Sequence, residues 1–188
     1  MTIPLDVALI AAISRPTGVI GHKNTLPWPR LSADFHWLKQ LTTQVPTGLI
    51  MGRATYDSIG KPLPGRTMVV LTSQVSVLTS GSYPSLYYVP NLTSALDFCT
   101  TQNLRPIIFG GSSLYTEALQ TLPCTIYLTL IEDSFTGDRH FPMHLIDPSK
   151  LTNITSQATG QPNLTITQSG LTFGFYTMFH TPNSIPLQ

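Results

Sequence analysis

The chain holds 188 residues, 41% of them hydrophobic and only 10% charged, with a formal net charge of +1 at pH 7. That balance describes one domain, 1–188, with a core large enough to need no disulfide or metal staple, and it excludes a disordered chain. It leaves no electrostatic footprint for nucleic acid or an anionic membrane surface, and neither a basic run nor an acidic tail appears.

Short apolar runs alternate with helix-period segments. The first run, 5–13, resembles the apolar part of a signal peptide but lacks a basic lead and is too short to span a bilayer, so a buried strand is expected. Residues 31–41, "LSADFHWLKQL", read as a helix with Ser32 as N-cap. Asp34 would lie in its first turn, and the first 56 residues hold only one other acid, Asp6. The helix dipole favours a carboxylate there, while Phe35, Trp37, Leu38 and the preceding Trp28 would desolvate it and push its pKa upward. A first-turn Asp is commonly a simple dipole partner, whereas a lone carboxylate among aromatics more often anchors a ligand.

Strand 48–51 and Gly52 lead into helix 53–59. Arg53 sits in the first turn, where the macrodipole disfavours a cation; it either meets an anionic ligand or points into water. In "KPLPGR", 61–66, two prolines and Gly65 shape a stiff turn that would present Arg66 to a carboxylate, a solvated turn being the plainer alternative. Strand 67–72 ends in Thr72 and Ser73. Strand 86–89 precedes helix 92–99, capped by Asn91, and strand 106–109 precedes "GGSSLY" at the start of helix 112–119. Glycines and free helix N–H groups suit a phosphate, although no G-x-G-x-x-G occurs.

Strand 125–131 follows, and then "GDRHFPMH", 137–144, where Pro142 between His140 and His144 argues against a metal pair. Residues 143–163 read as a loop insertion with no function of their own. Residues 164–169, Gly170 and 171–179 read as a hairpin. Cys99 and Cys124 form neither C-x-x-C nor a disulfide framework, so a reducing compartment, the cytoplasm, is expected. The N-x-[ST] sites at Asn91, Asn153 and Asn163 then read as chance. This order predicts an α/β fold, a mostly parallel sheet with flanking helices and an antiparallel C-terminal edge, with ligands beyond the carboxyl ends of the strands.

In order and spacing, "GVIG…LPW", the acid six residues after Trp28, "MGR-x-T", "PLPGR", "GGSSLY" and "G-D-x-x-F-P" resemble the dihydrofolate reductase family. The likeness runs from Leu5 to about Phe141 and weakens in the closing strands; "LPWPRL" and "GGSSLYTEA" lean toward its eukaryotic branch. The resemblance implies an eight-stranded, mostly parallel mixed sheet and a monomer without a metal. It implies NADPH-dependent reduction of 7,8-dihydrofolate to tetrahydrofolate, with hydride passing to pterin C6 and a proton to N5. That reaction supports one-carbon metabolism and thymidylate and purine synthesis, and it is a target of folate-analogue inhibitors.

By the same resemblance, Asp34 receives the pterin with support from Thr129, and Leu26 and Trp28 complete the catalytic set, Trp28 holding a water near the acid. Ile10, Phe35, Leu38, Ile59, Leu63 and Phe109 wall the substrate slot, and Arg66, with Lys39 as a weaker contact, takes the glutamate tail. Gly18 to Trp28 form a loop that closes over nicotinamide, with Ile20, Gly21 and Ala12 touching the cofactor. Gly52, Arg53, Ala54 and Thr55 make one phosphate turn, Arg53 joining Leu71, Thr72 and Ser73 around the 2′-phosphate. Gly110, Gly111, Ser112, Ser113, Leu114 and Tyr115 make the other, with a cis peptide between the two glycines.

Some positions depart from the family pattern. Leu38 stands where an aromatic is common, Phe109 where a smaller aliphatic is usual, Tyr56 for a frequent Trp, and Pro90 for a basic residue. If Leu38 and Phe109 compensate across one slot, Phe109→Ala weakens substrate binding, and near-normal affinity would refute the exchange. The related reductase of riboflavin synthesis and a silent folate- or nucleotide-binding homologue are the competing readings. The first needs neither Arg66 nor the Trp28–Asp34 pair, and the retained Asp34, Trp28 and Arg66 speak against the second.

Overall fold

Alternation along β1 (Ala8–Ser14) divides the molecule. Leu9, Ala11 and Ile13 enter one core and Ala8 and Ile10 another, because successive side chains leave a strand on opposite faces. The computed structural model describes residues 6–182. The expected strand start at residue 5 lies outside them, and the strand begins at Ala8.

The remaining elements are β2 (Val19–Gly21), α1 (Ser32–Thr43), β3 (Thr47–Gly52), α2 (Arg53–Ile59), β4 (Thr67–Leu71), β5 (Thr79–Ser80), β6 (Leu86–Val89) and α3 (Leu92–Thr101). After them come β7 (Arg105–Ile108), α4 (Ser112–Thr121), β8 (Cys124–Ile131), β9 (Arg139–His140), β10 (Thr152–Asn153), α5 (Thr155–Thr159), β11 (Ile166–Gln168) and β12 (Leu171–His180). The main sheet runs β10-β12-β8-β1-β7-β3-β4-β6-β5, with β11 beside β12. Its two-residue strands β5 and β10 are edge additions, and the longer strands are the expected eight.

From β8 to β6 every pairing is parallel, while β12 lies antiparallel on β8 and β5 antiparallel on β6. Helices α3 and α4 cover the face of Leu9 and Ile13, whereas α2 covers the face of Ala8 through Tyr56. An aromatic cluster of Trp28, Phe173 and Phe175, joined by Leu31 and Trp37, lies under α1. β7 lies between β1 and β3, and the chain leaves β3 toward β4 but β7 toward β8, so these neighbouring strands send it in opposite directions and open the cleft where ligands gather in such sheets.

Asn91 caps α3 as expected, accepting the Ser94 N–H at 2.9 Å. The C-terminal hairpin turns through Ser169 and Gly170, both at positive φ (54° and 76°), as a two-residue turn between twisted strands requires. Ser32, the expected cap of α1, is instead its first helical residue, and Leu31 at the cap position offers no side-chain bond. The Ser32 hydroxyl is taken by Gln168 Nε2 at 2.7 Å, and Gln168 Oε1 accepts the Ala33 N–H at 3.2 Å. The cap therefore comes from the hairpin.

Residues 143–163 do more than a plain loop insertion. They form 3-10 turns at Met143–Leu145 and Pro148–Lys150, then β10 and α5. The buried Thr155 hydroxyl accepts the Phe175 N–H at 2.9 Å, latching this segment to β12.

The 18–28 loop folds as a small hairpin, with Lys23 and Asn24 at positive φ and His22 and Thr25 exchanging backbone bonds. β2 pairs with β9, and a Cβ built at Gly137 would overlap Gly21 O and the Val19 side chain. Gly137→Ala is therefore expected to cost about 1–3 kcal/mol, read as a lower urea midpoint, and to speed exchange of the Phe141 amide bonded to Gly18 O. Unchanged exchange there would show that the loop adapts freely.

Candidate active site

α1 carries Asp34 in its first turn over the middle of β8. There the buried Thr129 stands in register with Ala12 of β1 and Phe175 of β12. Thr129 Oγ1 donates to Asp34 Oδ1 at 2.5 Å. Burial pushes the Asp34 carboxyl up to about 6, and the Thr129 hydrogen bond opposes it in part. Trp28 is buried with its ring edge-on to Phe135 at 5.5 Å, a partner with no local signal in the sequence. Leu26, by contrast, is 44% exposed.

Because the Thr129 bond favours the ionised carboxylate, Thr129→Val is expected to raise the Asp34 pKa further, by roughly one unit. An NMR titration of the carboxyl carbon would read it, and an unmoved midpoint would deny the bond its electrostatic role.

Ile10, Ile59, Leu63 and Phe109 pack half-buried against one cluster, so the structure brings these four wall candidates together. Phe35 and Leu38 are half-buried on α1, Phe35 with the Arg30 guanidinium 4.4 Å from its ring centre, and Lys39 is exposed. Arg66 is buried, its Nε donating to Pro64 O and its Nη1 to Thr42 Oγ1, both at 3.0 Å. Thr42 in turn donates to Leu38 O at 2.8 Å. Burial pushes the Arg66 pKa down, and among the described residues no carboxylate pairs with it. A guanidinium remains charged in such a place and is suited to an incoming carboxylate. Thr42 could not be read from the sequence, since threonines near helix ends are unremarkable.

The two glycine turns adjoin because β3 and β7 are neighbours, and the Gly52 N–H donates to Gly110 O at 2.8 Å. The Gly110–Gly111 peptide is cis. Neither α2 nor α4 has a side-chain cap, so their first N–H groups are open to a ligand. Ser112 Oγ at the start of α4 is buried without a hydrogen-bond partner. A Cβ at Gly110 would stand 3.3 Å from the Tyr115 hydroxyl, and one at Gly111 3.4 Å from Thr55 Oγ1. The open helix starts, the orphaned hydroxyl and the tight glycine cradle fit the diphosphate of a nicotinamide dinucleotide.

Some of the other expected cofactor residues have partners within the protein and others are exposed. Arg53 Nε bonds Asp57 at 2.9 Å and its guanidinium lies 5.5 Å from the Tyr88 ring centre. Leu114 and Tyr115 are buried, and the Tyr115 hydroxyl donates to Ile10 O at 2.7 Å, joining α4 to β1. Leu71 is half-buried at the end of β4, Thr72 donates its N–H to Val89 O at 2.9 Å, and Ser73 and Ser113 are exposed. Ala54 is exposed, Ala12 packs on the Trp28 cluster, and Ile20 and Gly21 lie in β2. Among the described residues no three His, Cys, Asp or Glu are grouped to hold a metal ion, and no helix is long and apolar enough to cross a membrane.

These features define an α/β protein with two adjoining phosphate-suited turns, a desolvated acid held by Thr129, and a half-buried apolar group of Ile10, Ile59, Leu63 and Phe109. The dihydrofolate reductase family model matches residues 6–172. The type 3 dihydrofolate reductase of Salmonella typhimurium is 38% identical over 139 residues, 74% of this chain and 80% of that protein. The dihydrofolate reductase of Buchnera aphidicola (subsp. Baizongia pistaciae) is 34% identical over 140 residues, 74% and 79% of the two chains. That of Staphylococcus aureus is 37% identical over 134 residues, 69% and 74%. The chain belongs to the dihydrofolate reductase family, and its reaction is the reduction of dihydrofolate to tetrahydrofolate with a nicotinamide cofactor. The relatives named are bacterial, so the eukaryotic leaning of two motifs finds no support among them.

Proposed function

We propose that the hydride donor is NADPH rather than NADH and that Asp34 receives the pterin ring. The observation that carries the assignment of Asp34 is its pairing with Thr129, a carboxylate held by one hydroxyl and desolvated to a pKa of about 6. Such an acid can accept hydrogen bonds from the pterin amino group and ring N3, and it holds charge close to where N5 gains its proton. Trp28 and Leu26 bound this end, and the 18–28 loop excludes water when it closes. Bound NADPH supplies the hydride for pterin C6.

Ile10, Phe35, Leu38, Ile59, Leu63 and Phe109 hold the planar ring between apolar walls. Arg66, oriented by Thr42 and Pro64, grips the tail carboxylate, and Lys39 adds a weaker contact. Gly52 to Thr55 and Gly110 to Tyr115 hold the diphosphate, while Ala12, Ile20 and Gly21 border the nicotinamide. The preference for NADPH rests on Arg53, Leu71, Thr72 and Ser73. Arg53 is exposed and its ion pair is with an exposed Asp57, so a 2′-phosphate can take it over at small cost. The enzyme acts as a monomer in a reducing compartment, the cytoplasm. Burial of both free thiols, with pKa values pushed up to about 12, suits that setting.

The test is NADPH oxidation by the purified protein with and without dihydrofolate, repeated with NADH. Fast oxidation that needs dihydrofolate and prefers NADPH is expected. Equal rates with NADH would remove the phosphate assignment, and tight cofactor binding without turnover would point to a silent binder.

A further inference from the structure

The first turn of α1 is held from outside the helix. Gln168 ends β11 and binds both Ser32 Oγ (2.7 Å) and the Ala33 N–H (3.2 Å). That N–H is among the donors a helix cannot satisfy internally, and α1 has no side-chain cap of its own. A primary amide offers donor and acceptor in one rigid plane, so two contacts fix its orientation. Its backbone is set in turn: Gln168 pairs with Leu171 across the Ser169–Gly170 turn, and β12 continues along β8 with Phe175 opposite Thr129. One continuous frame thus reaches Asp34 twice, at the carboxylate through Thr129 and at the preceding residue through Gln168.

We propose that Gln168 is a positioning residue of the active site, keeping the Asp34 carboxylate on Thr129 by capping the helix that carries it. The inference rests on the reading of Asp34 as the acid that receives the pterin. Among the described residues, no charged side chain bonds Ser32 or the Ala33 N–H in its place. α1 adds only the exposed His36 and Lys39, β8 adds Cys124 and Tyr127, and β12 adds Tyr176 and His180. Arg30 lies over Phe35, and Glu132 beyond β8 is paired with Arg15.

Two substitutions separate positioning from mere stability. In Gln168→Leu both contacts vanish, the first turn loosens, and water admitted to Asp34 draws its pKa back toward the ordinary carboxylate range. In Gln168→Glu the acceptor for Ala33 survives and the Ser32 hydroxyl can reverse to donate, but a second negative charge beside Asp34 opposes its ionisation. The pH profile of hydride transfer should therefore shift in opposite directions in the two variants, which a uniform loss of stability does not produce.

The experiment is single-turnover hydride transfer from pH 5 to 9 for the wild type, both variants and Asp34→Asn, with NADPH affinity as a check on folding. Gln168→Leu is expected to slow transfer at neutral pH roughly fivefold and move the fall-off to lower pH, while Gln168→Glu moves it to higher pH. Profiles unmoved in both Gln168 variants, with Asp34→Asn moving the fall-off to more acid pH, would overturn the positioning role alone. A fall-off left at its wild-type pH by Asp34→Asn would overturn the reading of Asp34 itself. Should Gln168→Leu fail to fold, the direction of the Gln168→Glu shift decides.

Discussion

Asp34→Asn is expected to lose a hundredfold or more of turnover at pH 7, in line with the roughly 10²–10⁴-fold that positioned acid–base groups contribute, and yet to be the more stable protein. The loss should be largest at neutral pH and smallest in acid, where substrate arrives already protonated. A uniform loss across pH would mean that Asp34 supplies geometry alone. The stability half follows from the raised pKa, about 6 against an ordinary 3.8. Between those values the folded state binds a proton that the unfolded state has released, so wild-type stability falls as pH rises through this window and levels off above it. The ionised carboxylate costs at most about 3 kcal/mol above pH 6. Asparagine removes that cost, so urea midpoints of the two proteins should converge near pH 4 and separate at pH 7.5 in favour of the variant. Parallel midpoints at both pH values would show that the carboxylate is not desolvated in solution.

Arg66→Leu should weaken dihydrofolate binding by about 1.5–3 kcal/mol, roughly ten- to a hundredfold in KM, with kcat much less affected. A pterin substrate lacking the glutamate tail should not distinguish variant from wild type, because the lost contact is to the tail alone. The guanidinium is held by Thr42 Oγ1 and Pro64 O, so its direction is set before substrate arrives, and such preorganisation makes the interaction strong. An unchanged KM for dihydrofolate would leave Arg66 as a structural strut between α1 and the "PLPGR" turn.

The sequence was legible wherever structure is decided within a few residues. Short continuous apolar runs marked β1, β3, β4, β6, β7 and β8, the Asn91 cap needed only Ser94, and Ser169–Gly170 announced the hairpin. The desolvation of Asp34 was also legible, because apolar residues surround it in the sequence within one helical turn or just before it. The two-residue strands β5, β9 and β10 went unread because so few residues carry no periodicity. α5 went unread because its five residues, Thr155–Thr159, are anchored by a Thr155 bond to β12 rather than by an apolar stripe.

By itself the sequence determined the α/β class, the run of strand-ending turns, the acid in an apolar helix start and the family resemblance, since periodicity, turn chemistry and motif order are local or additive along the chain. Only the tertiary structure decided which polar groups meet. Ser32 looked like a cap, but the cap is Gln168, 136 residues away. Arg66 looked solvated or substrate-bound, but it is oriented by Thr42 from 24 residues away. Arg53 looked free for an anion, but it leans on Asp57 and Tyr88. Hydrogen bonds are short and directional, so their partners are chosen by the sheet order that brings distant segments together, and no local pattern encodes that order.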